Sequence, residues 1–269
     1  MYWEYDPRSG RRWNLDPVPK GFISGYAALS NSPIWRVDPD GDDDYFNSDG
    51  SYNKARSTKT GTQIVIITGK TTQSFSKFSA TRTNNLASAK IVAHYAGQVG
   101  ISGTVGVSPN TKSDSTLGYT SGDMIVLTSK GGVNPQFNDF NNVKSTLIHE
   151  KDHKTKGHGF RKITFEEHAN VYLAQMDKGF DKTTIDKKEG HANSFAEYVL
   201  SAHYKEPDAN STDLINSYNS KSKEFKLNLE QDYILDKQGN ILETKMYINV
   251  TDSKGNTGRV DYDKKKTSN

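Results

Sequence analysis

Two histidines and a glutamate are the residues best suited to chemistry, in the segment His149-Glu150-Lys151-Asp152-His153, an HExxH motif. Residues four positions apart lie on one face of a helix, so the imidazoles of His149 and His153 can bind one metal ion. Glu150 then lies beside the water that the ion binds and can act as general base. A zinc ion in this setting lowers the pKa of that water towards neutrality. The pattern predicts a zinc-dependent enzyme that hydrolyses peptide bonds.

The amino-acid composition narrows the possible ligands and partners. The 269 residues include no cysteine, so a metal must be bound by His, Asp or Glu. The 35 basic residues nearly balance the 32 acidic ones, and this net charge of +3 predicts no nucleic-acid partner. No apolar run has the length of a membrane span, and the first residues do not form a signal peptide. If the protein leaves its cell, we expect another element to carry it.

Apolar residues at steps of three and four along residues 135–153 predict that the motif ends an amphipathic helix. The apolar stripe is formed by Phe140, Val143 and Leu147. The two histidines of the motif point away from this stripe, so a second element must cover them. The helix that we predict from Thr164 is the obvious cover, and a third helix is predicted over residues 191–204.

A catalytic zinc ion needs a third protein ligand and an open position for water. The second helix offers Glu166, Glu167 and His168 in succession. Thr164 and Glu167 fit a capping box, which gives Glu167 a structural role. Glu166 and His168 flank the expected buried face on either side, and we predict Glu166 as the ligand, with His168 and then Glu167 as alternatives. Candidates for stabilising the oxyanion are Tyr172, His191, Tyr198 and His203, and nothing local favours one of them.

These two helices resemble the active site of zincin metallopeptidases. Glu166 has Ala169 and Asn170 on its own face, which is similar to the second helix of gluzincins. The resemblance implies that Glu166 binds zinc and that Asn170 orients a zinc-bound imidazole. The spacing after the motif does not fit the longer metzincin pattern. A further departure is that Lys151 and Asp152 are both charged, where zincins mostly have uncharged residues.

The remaining patterns predict a mixture of strands and helices. Strands are expected at residues 64–67, 101–107 and 124–127, a helix at 86–96, a loop or linker at 207–223, and hairpins at 233–243 and 247–262. We therefore predict an α+β fold in which a zincin-like domain combines an active-site helix with a small mixed sheet, after a short β-rich segment.

That first segment resembles the end of the core in Rhs/YD-repeat proteins. Three spaced elements carry the resemblance, namely Tyr5 to Arg11, Asn31-Ser32-Pro33 and Asp38 to Gly41. In that family a delivery shell ends at such a motif and a variable C-terminal toxin follows. The resemblance implies secretion or delivery into a target cell, a secretion apparatus that recognises the upstream part, and a cognate immunity protein.

The sequence thus predicts three regions: a Rhs-like core end at residues 1–42, a metallopeptidase toxin domain at 43–206, and a polar linker with hairpins at 207–269. The predicted function is a zinc endopeptidase toxin that cleaves a protein in the target cell. Two alternatives stay open, a metal-dependent nuclease toxin and a non-enzymatic binding module whose HExxH is accidental.

Overall fold

The structure, a computed structural model, describes residues 5–6, 11–12, 43–57, 61–108, 117–128 and 132–263. Strands β1 (Tyr5–Asp6) and β2 (Arg11–Arg12) pair in antiparallel fashion. The rest of the Rhs-like segment lies outside the described residues. In the part of the chain that is described, no helix is long and apolar enough to cross a membrane.

Two small mixed sheets form the first half of the fold. The first contains β3 (Asp43–Asn47), β4 (Gln63–Thr68) and β5 (Thr71–Ser74), with β3 and β4 parallel. The second has the order β6-β8-β7 and contains β6 (Val105–Ser108), β7 (Gly118–Ser121) and β8 (Met124–Thr128). Strand β6 begins at Val105 and therefore later than predicted, and Ile101 packs against the core outside the strand.

Three helices pack with these sheets. They are α1 (Phe75–Ser79), α2 (Asn85–Gln98) and α3 (Phe140–Thr155). Asp139 caps α3, since its carboxylate accepts hydrogen bonds from two backbone N–H groups of the first turn. The predicted stripe of α3 is confirmed, because Val143 and Leu147 are fully buried in this first core and Phe140 packs against it.

The second half consists of three helices and a three-stranded antiparallel meander. The helices are α4 (Phe165–Met176), α5 (Ile185–Lys205) and α6 (Ser211–Lys221). The strands of the meander are β9 (Phe225–Leu235), β10 (Ile241–Asp252) and β11 (Thr257–Asp261). The prediction of a loop or linker at 207–223 is wrong, because most of that stretch forms α6. Leu214, Ile215 and Tyr218 form the buried face of this helix, but the stretch is so rich in polar residues that its composition predicts a loop.

The described residues pack into two hydrophobic cores that meet between α3 and α4. The first core includes Val143 and Leu147 of α3. The second includes Ala169 and Leu173 of α4, together with α5, α6 and the β9–β10 hairpin. The fold is therefore a mixed α+β fold with small sheets, and the motif helix lies at the junction of its two cores.

Candidate metal centre and active site

Helix α3 brings both histidines of the motif to one buried face. His149 and His153 are 9% and 6% exposed, and their Nε2 atoms lie 3.1 Å apart. One turn of helix separates the two residues, which is why the rings converge.

The third imidazole comes from α4. His168 Nε2 lies 3.2 Å from His153 Nε2, and one ligand atom from each of the three histidines lies within 4.8 Å of the others. A tetrahedral zinc ion with Zn–N bonds of 2.0–2.1 Å would separate two nitrogens by roughly 3.3 Å. In the described residues these three histidines form the group that can hold a metal ion.

The two glutamates that are candidate ligands on α4, Glu166 and Glu167, lie outside the histidine cluster. Glu167 completes the capping box with Thr164 and forms an ion pair with Arg161 at 2.6 Å. Glu166 lies two residues before His168, so the two side chains leave the helix on nearly opposite sides. Since α4 turns His168 towards α3, the geometry favours this alternative over Glu166 as the third ligand.

Hydrogen bonds fix the protonation of His149. Gln175 at the other end of α4 donates from Nε2 to the backbone oxygen and to the hydroxyl of Ser145, at 3.0 and 2.7 Å. Its Oε1 therefore faces His149 Nδ1 at 3.1 Å and accepts the Nδ1 proton. His149 Nε2 is left with a free lone pair, which is the form that binds a metal.

The Nδ1 atom of His153 faces a second imidazole, that of His158. The two Nδ1 atoms lie 2.9 Å apart, and a proton on His153 Nδ1 leaves a lone pair on its Nε2. The lone pairs of His149 and His153 then face each other at 3.1 Å, an arrangement that a shared cation stabilises. The histidine set therefore fits a bound metal ion.

Glu150 is buried next to this cluster, with 5% of its surface exposed. Thr120 of β7 donates its hydroxyl to the carboxylate at 2.8 Å. A Cβ at Gly118 would lie 3.3 Å from the Glu150 side chain, so glycine allows the strand to approach this closely. Burial raises the pKa of Glu150 to about 7, and the Thr120 hydrogen bond opposes that increase. A carboxyl group with this pKa can accept and return a proton near neutral pH.

The metal centre opens into a cleft with a volume of about 670 Å³. Strand β7, an edge strand of its sheet, forms one wall, and α4 and α5 form the other. Three of the four candidates for the oxyanion, Tyr172, His191 and Tyr198, line this cleft. His203 is not among its lining residues and packs against Tyr204. Tyr198 also stacks on the His168 ring, with centroids 3.9 Å apart.

The sequence of the chain matches a model of the family called metallopeptidase toxin 2 over residues 44–234, well over half of its length. The chain belongs to this family. No curated protein and no solved structure matches it significantly. The matched residues include all three histidines of the cluster and Glu150.

In this metallopeptidase toxin, the two charged residues inside the motif have partners away from the cleft. Lys151 donates to the backbone oxygen of Val99 at 2.9 Å. Asp152 forms an ion pair with Lys156 at 2.6 Å, one turn further along α3. The departure from the usual zincin pattern is therefore compatible with a metal site, because each charged side chain has a partner outside the histidine cluster.

The contact between Gln175 and His149 leads to a first prediction for the toxin. We expect Gln175→Ala to weaken metal binding by about 10–100-fold, since the partner that orients the imidazole is lost. Zinc affinity measured by competition with a chromogenic chelator tests this. The matched control is Asn170→Ala on the same helix, because Asn170 is exposed and bonds to the backbone oxygen of Glu166. Equal losses in both variants would contradict the role of Gln175.

Proposed function

We propose that the protein is a zinc-dependent endopeptidase that acts as the toxin of a Rhs-type secreted polypeptide and cleaves a protein in the target cell. The observation that carries this proposal is the convergence of His149, His153 and His168 beside a buried Glu150. These three histidines would hold the zinc ion, and a set of three protein ligands is typical of catalytic zinc sites, which also bind water.

The residues around the centre support a hydrolytic mechanism. A zinc ion held by His149, His153 and His168 would supply Lewis-acid activation of the water and of the peptide carbonyl. Glu150 takes a proton from the attacking water and returns it to the leaving amine, while Thr120 holds its carboxylate in place. Tyr172, His191 and Tyr198 line the cleft as candidate partners of the oxyanion.

A peptide substrate suits the shape of the cleft. Its wall includes Gly118, Tyr119 and Thr120 of the edge strand β7. An extended peptide can add to such an edge through backbone hydrogen bonds. This arrangement supports a protein or peptide substrate whose chain passes beside Glu150.

The delivery context rests on the resemblance of residues 5–41 to the end of a Rhs core and on membership in a toxin family. We infer that a secretion apparatus recognises the upstream part and that the toxin is secreted or delivered into a target cell. We also infer a cognate immunity protein that blocks the active site in the producing cell.

Removal of the metal tests the proposal directly. The purified protein is incubated with an unfolded protein, with nucleic acids in a parallel reaction, and new peptide termini are identified by mass spectrometry. We expect cleavage that a chelator abolishes and that stoichiometric zinc restores, with intact nucleic acids. Metal-dependent degradation of DNA or RNA without new peptide termini would contradict the proposal and support a nuclease.

A further inference from the structure

A lysine lies in the wall of the cleft that contains the metal centre. Lys187, near the start of α5, is 7% exposed and lines the cleft with His149 and Glu150. Its Nζ donates to the Thr146 hydroxyl at 2.8 Å. An ammonium group has three protons to donate, so Lys187 retains donors beyond this bond.

The charge of Lys187 has no ion-pair partner in the described part of the chain. Its neighbour Lys188 is equally buried but forms an ion pair with Glu224 Oε1 at 2.5 Å. Burial lowers the pKa of Lys187 to about 8, against the opposing effect of the nearby Glu150 carboxylate, so the amine is mostly charged at pH 7. A buried charge without an ion-pair partner is costly, and an anionic ligand would offset that cost.

A second polar group of the same wall also lacks a partner among the described residues. His191, one turn after Lys187, is 4% exposed, and its Nε2 faces the backbone oxygen of Tyr172 at 3.2 Å. The proton is therefore on Nε2, and Nδ1 is a buried acceptor without a hydrogen bond. A donor for the anion and an acceptor for an N–H group thus lie one turn apart.

Two acidic residues line the cleft, Glu150 of α3 and Glu197 of α5, and Glu197 is too distant to neutralise Lys187. Glu197 lies ten residues further along the helix, which corresponds to about 15 Å. Among the acidic residues that line the cleft, only Glu150 is close enough to act on the charge of Lys187, and the two form no direct ion pair.

We propose that Lys187 forms a subsite that binds a carboxylate of the substrate, so that the peptidase selects peptides with an acidic group near the cleaved bond. This inference rests on the proposed peptidase function. The carboxylate belongs either to an Asp or Glu side chain or to the C-terminus of the peptide, and the test separates these sources.

The test on the wild-type protein uses unstructured ten-residue peptides made in matched forms. One form of each peptide has Glu and Asp at chosen positions, and its matched form has Gln and Asn at the same positions. Both forms are made with a free C-terminus and with an amidated one. We expect kcat/KM to be about 10–100-fold higher for one carboxylate form than for its amide, the range of one charge-assisted hydrogen bond. The form that shows the preference identifies the source. Equal values for all forms would overturn the inference while leaving the peptidase function intact.

Binding to the Glu150→Gln variant gives a readout that does not depend on turnover. Calorimetry with the same peptides should show the carboxylate form binding about 10–100-fold more tightly. Should no peptide be cleaved, the peptidase proposal fails, and this comparison still decides whether the cleft selects a carboxylate.

The matched variants are Lys187→Met and Lys188→Met, which remove neighbouring lysines of equal burial. We expect Lys187→Met to reduce the preference for the carboxylate form to about 1 and Lys188→Met to preserve it. If kcat/KM of Lys187→Met falls by the same factor for acidic and neutral peptides, the proposed subsite is overturned. Such a result would show that Lys187 acts on the catalytic carboxylate. If Lys187→Met does not fold, the wild-type and binding comparisons decide.

Discussion

Replacing Glu150 by glutamine is expected to lower kcat by roughly 10²–10⁴-fold while the protein retains its metal. Glutamine has nearly the same shape and can still accept the hydrogen bond from Thr120, but its amide cannot take a proton from water. The three histidines are unchanged, so the metal content should match that of the wild type. Peptide cleavage assays together with elemental analysis of the purified variant measure both quantities.

The control for this experiment is Asp152→Asn, which removes a carboxylate two residues further along the same helix. Asp152 pairs with Lys156, and we expect this variant to cleave at close to the wild-type rate. An unchanged kcat in Glu150→Gln would exclude Glu150 as general base. Loss of metal from the same variant would instead show that Glu150 supports the centre structurally.

Replacing His168 by alanine is expected to abolish stoichiometric metal binding. A ligand is lost outright, so the affinity should fall by more than the roughly 100-fold that removal of an outer partner can cost. Glu166→Ala is the matched control, because both residues lie in the first turns of α4 and only His168 belongs to the histidine cluster. Calorimetric titration with zinc compares the stoichiometry and affinity of metal binding in the two variants with those of the wild type.

The two variants also decide between the ligands that the sequence leaves open. Retention of metal by His168→Ala together with its loss from Glu166→Ala would establish Glu166 as the third ligand. Loss in both variants would point to a general failure of α4, which circular dichroism of each variant detects.

The sequence predicted those parts of the site that depend on local geometry. The spacing of His149 and His153 and the stripe on α3 follow from helical periodicity alone. The capping box of Thr164 and Glu167 is likewise local, and the structure confirms it. These features need no knowledge of how helices pack.

The choice of third ligand depends on packing instead. A rotation of α4 about its axis decides whether Glu166 or His168 faces α3, and the second core sets that rotation through Ala169 and Leu173. Gln175 was missed for the same reason, since its contact with His149 joins two helices. Helix α6 was missed because Ser and Asn make up nearly half of its eleven residues, a composition typical of loops.

The position of the histidines between the two cores has a thermodynamic consequence. His149 and His153 belong to a helix anchored in the first core, whereas His168 belongs to a helix anchored in the second. A metal ion held by all three would crosslink the two halves of the chain. Its binding free energy would then also be free energy of docking one half on the other. Metal occupancy and the assembly of the cleft are therefore linked equilibria, so that each favours the other.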